Sequence, residues 1–157
     1  MAFAEESDAI EVLKALIRGG AKAWIPSAGL SMGAAFSGVT SVLIRKLDPG
    51  EIRAGMIVVY SRRGAWVAHR IIRVLRSGSG PRFRMKGDRI TAYDSPDVEA
   101  SDCIGEVVGI EHNGRRKMFG PWDRLCGRWK AFGGMLRVGV SSHLRARAGR
   151  SSVTGWQ

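Results

Sequence analysis

The stretch MIVVYSRRGAWVAHRIIRVL, residues 56–75, decides how the rest of the chain is read. MIVVY and WVAHRIIRVL are rich in Val and Ile, and SRRG (61–64) between them has the composition of a tight turn. Two such runs with a short polar break between them read as a β-hairpin. One residue is out of keeping with its strand: His69 interrupts a run that is otherwise apolar or basic.

Runs of the same kind flank this pair. AKAWI (21–25), SVLIRKL (41–47), RFRMK (82–86) and IGEVVGIEH (104–112) are short and separated by DPGEIRAG, RSGSGP and DSPD. The 21 glycines are about twice the usual share, which favours many turns and short strands. The expected fold is therefore mostly β, with antiparallel sheets over residues 21–114. Before it, SDAIEVLKALIR (7–18) predicts a short amphipathic helix within residues 1–20. Ser7 or Asp8 would cap it, Ile10, Leu13, Leu16 and Ile17 would form its buried face, and Gly19-Gly20 would stop it. After it, residues 115–157 predict an amphipathic helix carrying Trp122, Leu125, Cys126, Trp129 and Phe132, then a flexible basic tail.

Charge separates the body from that tail. The chain of 157 residues carries a net charge of +11, yet ten of its 25 basic residues and one of its 14 acidic residues lie after residue 114. A near-neutral body argues against specific nucleic-acid binding, while the tail and the stripe over 122–137 suit peripheral contact with an acidic membrane surface. Cys103 and Cys126 match no metal-ligand spacing and fit a reducing compartment at least as well as a disulfide. The acidic start and the lack of a roughly 20-residue apolar run predict a soluble, cytoplasmic protein without a membrane span. No cofactor or metal is expected.

Three segments carry the groups needed for assisted nucleophilic attack. AGLSMGAAF (28–36) sets Ser31 among small residues, VAHRIIRV (67–74) holds His69, and MKGDRITAYD (85–94) holds Asp88 and Asp94. Read with RAGMIVVY (53–60) and CIGEVVGI (103–110), their order and spacing resemble the signal peptidase family. They also resemble its wider clan of serine peptidases, which includes the self-cleaving bacterial repressor domains. The histidine on the base strand resembles the archaeal and endoplasmic-reticulum-type branch, where bacterial-type members carry lysine. The physical difference is large, because a lysine must fall about 3 pKa units to act at neutral pH whereas histidine is already poised near 6.5.

The resemblance implies coiled antiparallel sheets with short flanking helices, and a serine endopeptidase acting on an extended peptide with small side chains near the cut. Ser31 would attack the carbonyl, His69 would take and return the proton, and Asp94 would fix the imidazole. Asp88 would hold the turn at Gly87. The Ser31 backbone N–H would stabilise the oxyanion, with Gly29 standing where some relatives add a hydroxyl, and Met32 would line the pocket nearest the scissile bond. The chain departs from the family pattern at Ala34, where proline is usual, and at Met56, where Asp is usual. The rival expectation is a binding module that kept the peptide groove and lost turnover.

Overall fold

The computed structural model describes residues 2–27, 32, 36–78, 80–120, 123, 126 and 127. Its centre is the hairpin expected from residues 56–75. β3 (Ile57–Arg62) and β4 (Ala65–Ser77) pair antiparallel with Arg62 opposite Ala65. The two residues between them, Arg63 and Gly64, both have positive φ (52° and 80°). That backbone matches the right-handed twist of the flanking strands, and Gly64 adopts it without steric cost.

Around this pair the chain builds one antiparallel sheet. The other strands are β1 (Ala23–Pro26), β2 (Val39–Arg45), β5 (Gly80–Lys86), β6 (Val98–Glu99), β7 (Cys103–His112) and β8 (Arg115–Met118). They run in the order β1-β2-β7-β3-β4-β5-β6, with β8 added on β7. All six runs that the sequence marked as strands are strands, so the mostly β reading holds. β6 and β8 were not foreseen. β8 closes on β7 through Asn113-Gly114, again with two positive φ values (48° and 71°), so a boundary at residue 114 falls inside a hairpin. The sheet extends to Met118.

The helix α1 (Ala2–Arg18) is longer than the sequence reading made it. Ala2, Ala4, Glu5 and Glu6 are strong helix formers and carry it past the expected start, so Ser7 and Asp8 lie inside it and do not cap it. It stops where expected, with the Gly19 and Ala21 N–H groups donating to the carbonyls of Ala15 and Leu16. Ile10, Leu13 and Ile17 are buried against the sheet, but Leu16 falls one step outside that stripe and is 53% exposed. No helix among the described residues is long and apolar enough to cross a membrane.

Two apolar layers cover the two sides of the central strands. One holds Ile10, Leu13 and Ile17 of α1 with Met32, Phe36, Ile57, Val59 and Val107, and Trp66 and Ala68 lie against it. The other holds Val58, Tyr60, Ile71, Phe83, Met85 and Cys103, with Val67 against it. Each fully buried Val, Ile or Phe contributes roughly 1.5–3 kcal/mol. The alternation between these layers over Ile57–Tyr60 of β3 and Trp66–Ile71 of β4 fixes which way those side chains must point. Beyond Ile71 a register shift against β5 brings Val74 to the same side as Ile71.

Candidate functional site

That alternation sends Val67, His69 and Ile71 to one side of β4 and Trp66, Ala68 and Arg70 to the other. His69 and Arg70 are both 4% exposed, so a buried cation-capable group leaves each face of the same strand. A buried polar group needs a partner. Both partners come from the one loop that follows β5.

On the first face, His69 Nδ1 lies 2.6 Å from Asp94 Oδ2 across 25 residues. The backbone N–H of Asp94 donates to the Met85 carbonyl at 2.9 Å, which holds the loop alongside the end of β5. The Tyr60 hydroxyl donates to the same Oδ2 at 2.9 Å, and Arg62 Nη1 donates to Oδ1 at 3.2 Å while its Nη2 donates to the Ser95 carbonyl at 2.8 Å. Burial by itself would raise the Asp94 pKa, but the hydrogen bonds from His69 and Tyr60 and the charge of Arg62 hold it below the ordinary value. Burial, with that carboxylate beside it, pushes the Tyr60 phenol well above its ordinary value, so the hydroxyl remains a donor at neutral pH.

These contacts determine the state of the imidazole. An ionised carboxylate only accepts, so Nδ1 must carry the proton. In the neutral ring Nε2 then carries the lone pair, and it has no hydrogen-bond partner among the described residues. On the same side of the sheet lie the apolar side chains of Val58, directly opposite His69 on β3, and of Ile71, two residues on along β4. An imidazole held this way can accept a proton from a hydroxyl placed at Nε2 and pass it on.

On the opposite face, Arg70 meets Asp88 side-on, Nε to Oδ1 and Nη2 to Oδ2, both at 2.8 Å, and its Nη1 donates to the Gly55 carbonyl at 2.7 Å. Asp88 therefore holds the turn closed by Gly87 and Ile90 through an ion pair to β4. Beside it Lys86, also 4% exposed, donates to the Ile90 carbonyl at 2.6 Å.

A cavity of about 240 Å³ opens on this Arg70 side and not at His69. It lies where β7 has parted from β3 and has not yet met β8, walled by Met56, Ile57, Val108, Phe119 and Gly127. Gly127 is packed so closely that a Cβ there would stand 2.6 Å from the Gly55 carbonyl oxygen. Chain beyond the sheet thus docks on the body at that point. Trp122, Leu125, Trp129 and Phe132 lie outside the described residues, and Cys126 is exposed.

Of the expected site residues, His69 and Asp94 are brought together and Asp88 stands on the other side of β4. The Met32 side chain is 2% exposed and packs in the α1 layer, on the face opposite the His69 ring. Ser31 and Gly29 lie outside the described residues. Tyr60, Arg62 and Arg70 were missed by the sequence reading. Counting back from the SRRG turn would have found Tyr60, because that register puts it diagonal to His69 on the same face. Burial pushes the Cys103 thiol up to about 12, which makes it inert at neutral pH. No group of residues suited to a metal ion occurs among the described residues. No family model matches the chain, and no curated protein matches it at a significant level.

Proposed function

We propose that the chain is a serine endopeptidase of the signal-peptidase-like kind, cutting an extended peptide or leader segment with small side chains near the cut. The observation that supports this reading is the buried His69–Asp94 contact of 2.6 Å, between two residues that the motif order singles out as base and orienting acid. Ser31 is the nucleophile in this reading. Its proton passes to His69 Nε2 as Oγ attacks the peptide carbonyl, and the imidazolium, stabilised by Asp94, returns it to the leaving amine. Water then takes the place of Ser31 in the second half of the reaction, with the same proton route. The test is incubation with peptides carrying Ala-x-Ala segments, followed by mass spectrometry. Cleavage beside the small residues, lost in Ser31→Ala, is the expected result, and cleavage that survives Ser31→Ala overturns the assignment.

A second reading, a peptide-binding relative without turnover, is favoured by one observation. Met32, next to the proposed nucleophile, is buried on the face of β4 that His69 does not share. In that reading the same peptides bind and remain intact.

The basic segment after residue 114 supports peripheral contact with an anionic membrane from a cytoplasmic location. Co-sedimentation of the full chain with anionic but not zwitterionic vesicles is expected. Equal pelleting by both kinds, or by neither, removes that part of the proposal.

A further inference from the structure

The reaction scheme above uses His69 and Asp94 and leaves two neighbours without a task. Tyr60 and Arg62 are two residues apart on β3, so they share a face, and both reach Asp94. We propose that Tyr60 and Arg62 are positioning residues, which together lock His69 as the tautomer protonated on Nδ1 and so keep the Nε2 lone pair available to accept a proton. The inference rests on reading His69 as the base, and it names what sets that base.

Three features of the geometry carry it. A carboxylate bound to an imidazole through one oxygen can still turn about its own axis and exchange oxygens. Here Tyr60 holds Oδ2 and Arg62 holds Oδ1, while the second arm of Arg62 fixes the Ser95 carbonyl behind the carboxylate. The plane of Asp94 is therefore set from both ends.

The second feature is competition for one acceptor. The Tyr60 hydroxyl stands 3.5 Å from His69 Nδ1, too long and too crowded by donors to be a bond while Nδ1 keeps its proton. Both groups point their protons at Asp94 Oδ2, and the tilt of 59° between the two rings fits that shared target. The third feature follows from the second. If the carboxylate is lost or turned away, Tyr60 is the nearest remaining donor to Nδ1. Donation there would force the proton onto Nε2, the tautomer that cannot accept from a serine. The clamp thus excludes a specific wrong state that the phenol itself would otherwise favour.

Nitrogen-15 NMR of the His69 ring in the full chain, without peptide, tests this directly. In the parent the neutral ring should show a protonated, slowly exchanging Nδ1 and an unprotonated Nε2. Arg62→Gln should mix the tautomers, because a turned carboxylate lets Tyr60 donate to Nδ1. Tyr60→Phe should instead keep the proton on Nδ1 and speed its exchange roughly ten-fold, and Arg62→Lys should restore much of the parent spectrum. Where peptide is cut, the same variants should lower kcat roughly ten-fold with KM unchanged. Identical His69 spectra in the parent, Tyr60→Phe and Arg62→Gln would overturn the proposal. The spectra involve neither Ser31 nor substrate. Tautomer mixing in a chain that cuts nothing would therefore support the positioning role and count only against the peptidase reading.

Discussion

His69 and Arg70 are chain neighbours on β4, equally buried, and each is answered by an aspartate of the loop between β5 and β6. The two pairs nevertheless do different things. Arg70 and Asp88 are a permanent cation and a carboxylate in a side-on fork, with each of the three guanidinium nitrogens donating one hydrogen bond and no proton to trade. His69 and Asp94 meet through a single N–H, and the imidazole keeps a second nitrogen without a partner among the described residues. One side of the strand has a fastener and the other has a group that can change its protonation. A third carboxylate of the loop, Asp97, forks onto Arg84 of β5 nearer solvent, at 2.9 Å to both oxygens. The loop that delivers Asp94 is thus held at both of its ends.

Removing each of these carboxylates in turn tests that division. Asp94→Asn should have the largest effect, cutting peptidase activity on the order of 10³–10⁴-fold with the fold retained, because an amide no longer fixes the imidazole. An activity loss of less than ten-fold would place Asp94 outside the proton route. Asp88→Ala should act on stability instead. It leaves the Arg70 guanidinium buried with only the Gly55 carbonyl, which costs about 3 kcal/mol or more in a urea titration. A change below about 1 kcal/mol would mean that Arg70 finds water or another partner.

The acid limb of stability separates the pairs further. The native Asp94 carboxyl lies below its ordinary value of 3.8, so below that value the unfolded chain binds more protons than the folded one. Its contribution is present above the unfolded pKa and is lost as pH falls through the depressed native value. The urea midpoint should therefore drop on acidification below about pH 4. That drop should be shallower in Asp94→Asn, and an unchanged slope would contradict the ionised, hydrogen-bonded state described above. The smallest effect should belong to Asp97→Ala. Its partner Arg84 is 40% exposed, so a loss of no more than about 1 kcal/mol is expected from thermal unfolding.

How much of this was legible beforehand follows from what patterns can and cannot carry. Six strands were legible because Val and Ile runs between Gly- and Pro-containing breaks have few other outcomes in water. β8 was missed because RRKM has no apolar alternation. All four of its residues are exposed, and the Asn113-Gly114 turn, not burial, sets it on β7. The start of α1 was missed because capping chemistry at Ser7 was weighed above the propensity of the residues before it. Within the site, His69 and Asp94 stood out as polar interruptions at family spacing. Arg70 did not, since an arginine in a strand usually faces solvent, and only the fold shows that this one lies against Gly55. Tyr60 was hidden by being a good strand residue with a hydroxyl at its tip.

The claim on which the functional account depends is that His69 activates Ser31. Labelling the full chain with a fluorophosphonate probe and mapping the adduct by peptide mass spectrometry tests it most directly. The account predicts a single adduct on Ser31 in the parent chain and its loss in His69→Gln. An adduct on another residue, or labelling of Ser31 at the parent rate in His69→Gln, would contradict it.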